Sequence, residues 1–115
     1  MTRTIVLAIP TPPSANMAFR NVAGKGRVRS KKYVAWAKEA GWAIRAQRAG
    51  RLSGKVEVEI GVKRIAAADI DNRIKPALDL LVTMGVIDDD ANIERVTAEW
   101  RDDIEGAVLT VRRAG

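Results

Sequence analysis

One stretch of the chain, Lys55 to Lys63, constrains the fold more than any other. Apolar residues alternate in it with polar residues or glycine, and the apolar set is Val56, Val58, Ile60 and Val62. A period of two directs all of these apolar side chains to the same face of an extended segment. The pattern therefore predicts a β-strand with one face buried in a core.

Three other segments have strand character, and two have helix character. The predicted strands are Arg3 to Ile9, Ile93 to Arg101 and Ala107 to Arg113, with a hairpin loop from Asp102 to Gly106 between the last two. In the order strand, helix, strand, helix, strand, strand, these elements predict an α/β fold, with α+β as the alternative. We expect a single domain over residues 1–115, with one mixed sheet of about four strands and two main helices packed on it.

The first predicted helix runs from Lys31 to about Ala49, with Ser30 as its N-cap. Its apolar face, at helical spacing, comprises Tyr33, Trp36, Ala37, Ala40, Gly41 and Ile44. Trp42 falls on the opposite face, where an exposed tryptophan indicates a subunit contact or a platform for a stacked base. We favour the subunit contact, and packing of Trp42 under the basic arm is a further alternative.

The second predicted helix runs from about Asn72 to Met84, with Asp71 or Asn72 as its N-cap. Pro76 is tolerated only in the first turn of a helix, so it fixes the start of this one. Lys75 lies on a side where it can approach Asp71. An ordinary ion pair of Lys75 with Asp71 or Asp79 explains the same spacing, since residues four apart are neighbours on a helix.

Composition excludes several kinds of chemistry. The chain has no cysteine and no histidine, which excludes disulfides, thiolate or histidine metal sites, and Ser-His or Cys-His catalysis. Acid–base chemistry must then use carboxylates, lysine, tyrosine or water on a metal ion. The apolar run Ile5 to Ile9 is too short for a signal or membrane segment, and we expect a cytoplasmic protein.

The charge is unevenly distributed. Between Arg20 and Arg51 there are ten basic residues and one acidic residue, a net +9 in a chain whose total is +6. Residues 14–30 show no periodicity, and we predict a flexible basic arm there that becomes ordered on a ligand. The pattern favours nucleic acid over an ordinary solvated surface, and the predicted contact residues are Arg20, Lys25, Arg27, Arg29, Lys31 and Lys32.

Acidic residues are concentrated at both ends of the second helix. Asp69 and Asp71 precede it, and Asp88, Asp89 and Asp90 follow it. Carboxylates held close together repel one another unless a cation neutralises them, and oxygen ligands suit Mg²⁺ or Mn²⁺. On an extended segment Asp69 and Asp71 would point to the same side, so we expect both to bind one metal ion.

The block DIDNRIKPALDLLVTMGVIDDDAN, residues 69–92, is more specific than a lone D-x-D. It resembles the RusA family of Holliday junction resolvases, endodeoxyribonucleases of bacteria and their prophages. The early IPTPPSAN segment and the basic stretch after it match the family more loosely.

The resemblance implies an α/β homodimer that uses Mg²⁺, with Mn²⁺ as a substitute, to nick opposing strands of a four-way DNA junction in recombination and repair. It implies Asp69, Asp71 and Asp90 as catalytic metal ligands and Lys75 as a catalytic residue. Asp89 matches a common acidic position of the family, whereas Asp88 stands where an apolar residue can occur.

Two matters stay open at the level of sequence. A helix of this length separates Asp90 from Asp69 and Asp71 by roughly 20 Å, so Asp90 must return by folding of its own chain or come from a second one. The chemistry also suits nucleases for other branched nucleic acids, and a non-catalytic basic DNA-binding module is a further alternative.

Overall fold

A computed structural model describes residues 3–15 and 19–115 of the chain, and it contains six strands and two α-helices in that part. In chain order these are β1 (Thr4–Ile9), β2 (Phe19–Val22), β3 (Gly26–Arg29), α1 (Lys31–Gln47), β4 (Val56–Lys63), α2 (Ile74–Thr83), β5 (Ile93–Arg101) and β6 (Ala107–Arg113). Short 3-10 turns at Ile70–Arg73 and Asp90–Asn92 precede α2 and β5.

Four strands form one mixed sheet in the order β1-β6-β4-β5. The neighbours β4 and β5 are parallel, joined through α2, while β6 is antiparallel to both β1 and β4. The prediction of a mixed sheet of about four strands with two helices is confirmed, and the predominance of antiparallel pairing in that sheet makes the fold α+β.

The core lies between one face of this sheet and the two helices. The apolar positions of β1, β4 and β6 alternate with exposed ones, and Leu7, Leu109 and Val62 are fully buried. The predicted apolar face of α1 is confirmed, since its buried residues are Tyr33, Trp36, Ala40, Gly41 and Ile44. Pro76 lies in the first turn of α2, as predicted, and is buried.

The predicted hairpin between β5 and β6 is wrong. These strands are joined by the short segment 102–106, but β4 lies between them in the sheet. The connection crosses the end of β4, where Lys63 N donates to Gly106 O and Arg64 N donates to Arg101 O. Alternating polarity indicates that a segment is a strand but carries no information about which strand lies beside it.

The basic segment also contains regular structure that its sequence did not predict. Strands β2 and β3 form an antiparallel hairpin, with Arg20 opposite Val28 and Asn21 opposite Arg27. Gly24 and Gly26 have positive φ angles of 78° and 74°, which glycine adopts without steric strain. The expectation of an irregular arm is therefore wrong for these residues, while its flexibility remains a prediction.

Two helix boundaries differ from those predicted. Arg48, with φ 50°, takes the left-handed position that ends α1, two residues before Gly50. Neither Asp71 nor Asn72 caps α2, because both lie within the 3-10 turn and Arg73 occupies the cap position without a side-chain bond. No helix in the described residues is long and apolar enough to cross a membrane.

Candidate active site

The junction between β4 and α2 carries the first two predicted carboxylates. Asp69 has extended backbone, but the chain then tightens into the turn Ile70–Arg73, which contains Asp71. About three residues form one turn of a 3-10 helix, so residues two apart no longer share a side. The extended geometry from which we expected Asp69 and Asp71 to point the same way is therefore wrong.

Both of these carboxylates are free of partners in the described part of the chain. Asp69 and Asp71 are exposed, and neither forms an ion pair within 4 Å or a side-chain hydrogen bond there. By contrast, four other aspartates have an ion-pair or hydrogen-bond partner, namely Asp79, Asp88, Asp89 and Asp103. The D-x-D pair thus presents its oxygens to solvent at the start of α2.

Arg73 holds this junction against the segment that follows β1. Its Nη1 donates to the carbonyl oxygen of Pro12 over 2.7 Å, and its buried Nε has no hydrogen-bond partner in the described residues. The proline-rich segment is thereby fixed beside the D-x-D turn. No sequence pattern indicates this contact, because the two residues are 61 positions apart.

The three consecutive aspartates that follow α2, Asp88 to Asp90, differ in their contacts. Asp88 accepts a hydrogen bond of 2.6 Å from Arg51 Nε and one of 3.3 Å from Gly54 N. Asp89 caps the turn Asp90–Asn92 by accepting from Ala91 N at 2.9 Å. The Asp88–Arg51 and Asp89–Ala91 hydrogen bonds lower the pKa values of Asp88 and Asp89, and both side chains hold the backbone.

Asp90 alone of the three faces the start of α2. Its Oδ2 lies 3.8 Å from Lys75 Nζ, and Lys75 Nζ lies 3.0 Å from Asp79 Oδ1. The hydrogen bond that Lys75 donates to Asp79, together with the charges of Asp79 and Asp90, raises the pKa of Lys75. Of the two ion pairs that the helix spacing predicted for Lys75, the structure contains the one with Asp79.

Contacts of the segment after α2 return Asp90 to this place. Val86 O accepts a hydrogen bond of 2.9 Å from Leu52 N, and Ile87 forms a parallel bridge with Leu52. Together with the Arg51–Asp88 pair, these contacts turn the chain back before Asp90. The separation of roughly 20 Å expected from helix length therefore does not apply to Asp90 and Lys75.

Tyr33 connects the basic segment to this cluster, a role that its sequence position did not indicate. It is buried at the start of α1, and the Cζ of Arg29 lies 5.2 Å from the centre of its ring. Burial, followed by the charge of Asp79, raises the pKa of Tyr33. One group, linked by a ring contact, a charge effect and two ion pairs, thus comprises Arg29, Tyr33, Asp79, Lys75 and Asp90.

The other predicted nucleic-acid contacts lie in the β2–β3 hairpin and at the start of α1. Lys25 is exposed in the turn of the β2–β3 hairpin, and Arg29, Lys31 and Lys32 are exposed where the hairpin leads into α1. The backbones of Arg20 and Arg27 lie in the hairpin, but their side chains lie outside what the structure describes. Trp42 is 62% exposed, as predicted, with Arg45 Cζ 5.5 Å from its ring centre.

The predicted metal ligands do not form a complete set in a single chain. Among the described residues, no three acidic side chains are close enough to hold one metal ion. Asp69 and Asp71 nevertheless offer carboxylate oxygens without competing partners, the donor type that a hard divalent cation prefers. The donor chemistry fits Mg²⁺, which proteins commonly hold with one or two carboxylates together with water and phosphate oxygens.

Comparison with known protein families identifies a match for this chain. The family model described as Endodeoxyribonuclease RusA matches residues 10–112, nearly the whole chain. A search of curated proteins finds no significant match.

Proposed function

This chain belongs to the RusA family of endodeoxyribonucleases, and from that premise we propose that it is a Mg²⁺-dependent homodimer that resolves four-way DNA junctions by paired nicking. The observation that carries the proposal is the arrangement at the start of α2. Two unpartnered carboxylates, Asp69 and Asp71, precede the helix there, and Lys75 in its first turn faces Asp90. Recombination and repair are the processes that need this reaction.

In this proposal Asp69, Asp71 and Asp90 hold the Mg²⁺ ion, which Mn²⁺ replaces. When bound, such an ion activates water and stabilises negative charge on the phosphate and the leaving oxygen. Since one described chain does not bring three carboxylates together, the site is completed when Asp90 moves toward Asp69 and Asp71 on metal binding or when a second chain supplies it.

Lys75 has a separate role in the proposal. Its raised pKa keeps it protonated at neutral pH, and its 61% exposed side chain reaches solvent beside Asp90. A lysine held in this way stabilises the charge that develops on the scissile phosphate. Asp79 positions the ammonium group, and buried Tyr33 is close enough to Asp79 for the charge of Asp79 to raise the pKa of Tyr33.

The basic segment supplies the proposed DNA contacts. Six basic residues and no acidic residue occur between Phe19 and Lys32, and Arg29 joins them to the catalytic group through Tyr33. Contacts to phosphates position a protein on DNA without reading its sequence. Binding should accordingly weaken steeply as the salt concentration rises.

The direct test is a nicking assay on a synthetic four-way junction and a linear duplex of the same sequence, with Mg²⁺ or with EDTA. We expect paired cuts near the branch point of the junction, no cuts in the duplex and no cuts with EDTA. Preferential cutting of flaps, forks or RNA hybrids would instead identify a nuclease for another branched substrate. Binding without cuts under Mg²⁺ and Mn²⁺ would overturn the enzymatic proposal in favour of a binding module.

Mixed dimers distinguish the two ways of completing the site. Asp69→Asn and Asp90→Asn chains are each inactive in the proposal. If Asp90 acts within its own chain, a mixture of the two variants stays inactive. If Asp90 is supplied by the partner, the mixture regains one intact site and nicks a single strand of the junction.

A further inference from the structure

The outer edge of β5 is an unpaired strand edge. β5 pairs with β4 on one side, and no backbone hydrogen bond from the rest of the described chain reaches its other side. The turn Ile70–Arg73 lies against β5 without such a bond. Residues 94–97 are exposed in succession, including Val96, which pairs with buried Val58 and therefore lies on the core side of the sheet.

Two charged residues of this strand lack ion-pair partners. Arg95 and Glu99 form no salt bridge within 4 Å with any residue that the structure describes, whereas Glu94 pairs with Lys55, and Arg101 pairs with Asp103. Arg95, Thr97 and Glu99 follow one another at a period of two, so their side chains lie on one face of the strand. A basic and an acidic residue therefore flank Thr97 symmetrically.

This symmetry matches a second copy of the same strand. When two β5 strands pair antiparallel with a two-fold axis at Thr97, Arg95 of each chain lies opposite Glu99 of the other, and Val96 lies opposite Ala98. Residues directly opposite in an antiparallel pair have Cβ atoms about 4.5–5.5 Å apart, close enough for an ion pair. Two such ion pairs and two apolar contacts form at once.

Placing the two-fold axis at another residue of β5 removes this complementarity. With the axis at Ala98, Arg95 would face Arg101, and like charges opposite each other are destabilising. With the axis at Val96, Arg95 would face Thr97, and Glu99 would face Ile93. The charge pattern thus selects one register, which matters because a slip along an edge otherwise costs little.

We propose that two copies of this chain associate through antiparallel pairing of β5 strands centred on Thr97, which joins their sheets into one of eight strands. This specifies the interface of the homodimer in the proposed function and rests on that function only for the expectation of two subunits. A closed two-fold pair of this kind also removes the exposed edge that would otherwise invite open-ended association.

Single cysteine variants test the register, because the chain has no cysteine of its own. In Thr97→Cys the two thiols would lie opposite each other, within the Cα separation of about 4.4–6.8 Å that a disulfide requires. We expect rapid disulfide-linked dimers under mild oxidation without DNA or metal. Glu94→Cys is the matched control, since its two copies would be about 20 Å apart along the paired strands.

Charge exchange provides a second test that does not depend on oxidation. Arg95→Glu and Glu99→Arg should each raise the dimer dissociation constant roughly tenfold or more by placing like charges opposite each other twice. The double variant Arg95→Glu/Glu99→Arg restores both pairs and should return the constant to within about threefold of wild type. Circular dichroism checks that each variant folds.

Two results would overturn the proposal. One is a Thr97→Cys variant that crosslinks no faster than Glu94→Cys, and the other is a folded double variant that dimerises as poorly as the single ones. Both measurements are made without substrate. A loss of nicking with intact crosslinking would therefore contradict the proposed function alone, and intact nicking without crosslinking would contradict this interface alone.

Discussion

The two edges of the four-stranded sheet differ in how their polar groups are satisfied. At the β1 edge, the side-chain amide of Gln47 accepts a hydrogen bond from Ala8 N and donates one to Ala8 O, both over 2.8 Å, as a neighbouring strand would. Arg3 also donates to Ala49 O beyond the end of α1. At the β5 edge, the backbone has no such partner in the described chain, and Arg95 and Glu99 form no ion pair within 4 Å there.

The contrast assigns different roles to the two sides of the molecule. The β1 side is complete within one chain, with alternating buried residues and a covered edge, and we attribute to it mainly stability. On the β5 side, the turn that contains Asp71 and follows Asp69 lies against β5. Strand β5 itself begins directly after the turn Asp90–Asn92. Its unpartnered charges contribute nothing evident to folding, which is the expected property of groups that act on a ligand or a partner.

The largest effect should come from Asp71→Asn. We expect nicking of a four-way junction to fall ~10²-fold or more, because a proposed metal ligand is lost. The melting temperature should stay unchanged, because the exposed carboxylate has no partner in the described chain. Asp103→Asn, which removes an exposed acid paired with Arg101, is the control and should retain activity. Equal losses in both variants would contradict the special role of the D-x-D turn.

A core substitution on the other side should have the opposite profile. Leu109→Ala removes a fully buried side chain of β6, opposite Leu7, and should lower the free energy of unfolding by about 2–5 kcal/mol. Val96→Ala on β5 should cost less than about 1 kcal/mol in the monomer, since Val96 is 36% exposed. Urea denaturation of dilute protein measures both, and similar losses would contradict the contrast between the edges.

Removal of the cover on β1 should have a smaller effect. Gln47→Ala deletes two hydrogen bonds to Ala8 and should reduce stability by about 1–2 kcal/mol. It should also increase aggregation, because it exposes a strand edge. Arg45→Ala, an exposed change two residues earlier on the same helix, serves as the control in denaturation and light-scattering measurements. A Gln47→Ala variant as stable as this control would show that the edge needs no cover.

The smallest expected effect is on the pH dependence of stability. The Arg51 hydrogen bond lowers the pKa of Asp88 below its ordinary value of 3.8 in the folded state, so the pair stabilises the fold above that pH. The contribution is lost as the pH falls through the lowered pKa. Asp88→Asn should therefore melt slightly below wild type at pH 7, and the difference should shrink as the pH falls below 3.8 and disappear below the lowered pKa. If the Arg51–Asp88 pair did not contribute to stability, calorimetric scans would give the same difference in melting temperature between wild type and Asp88→Asn at every pH in this range.

Local periodicity was sufficient for the main elements. The alternation of Val56 to Val62 and the apolar face of α1 predicted β4 and α1 closely, because burial imposes these patterns directly. The hairpin of β2 and β3 was missed because its four-residue strands are too short to show a period. The insertion of β6 between β1 and β4 was missed because polarity does not encode strand order.

Like the fold, the candidate site could be predicted from the sequence only in part. The motif identified Asp69, Asp71, Lys75 and Asp90 as a set. The approach of Lys75 to Asp90 depends on the distant contacts of Arg51 and Leu52 with the segment after α2. The contacts Arg73–Pro12 and Arg29–Tyr33 likewise join residues from different elements, and no spacing rule along the chain anticipates them.

The most direct test of the account compares two neighbouring residues, Asp88 and Asp90. Junction nicking should be measured at saturating Mg²⁺ for Asp90→Asn and Asp88→Asn, together with Mn²⁺ binding to each folded variant. The account predicts that Asp90→Asn loses nicking and weakens metal binding, while Asp88→Asn keeps both at a slightly lower melting temperature. Full activity in Asp90→Asn, or loss of metal binding only in Asp88→Asn, would contradict it.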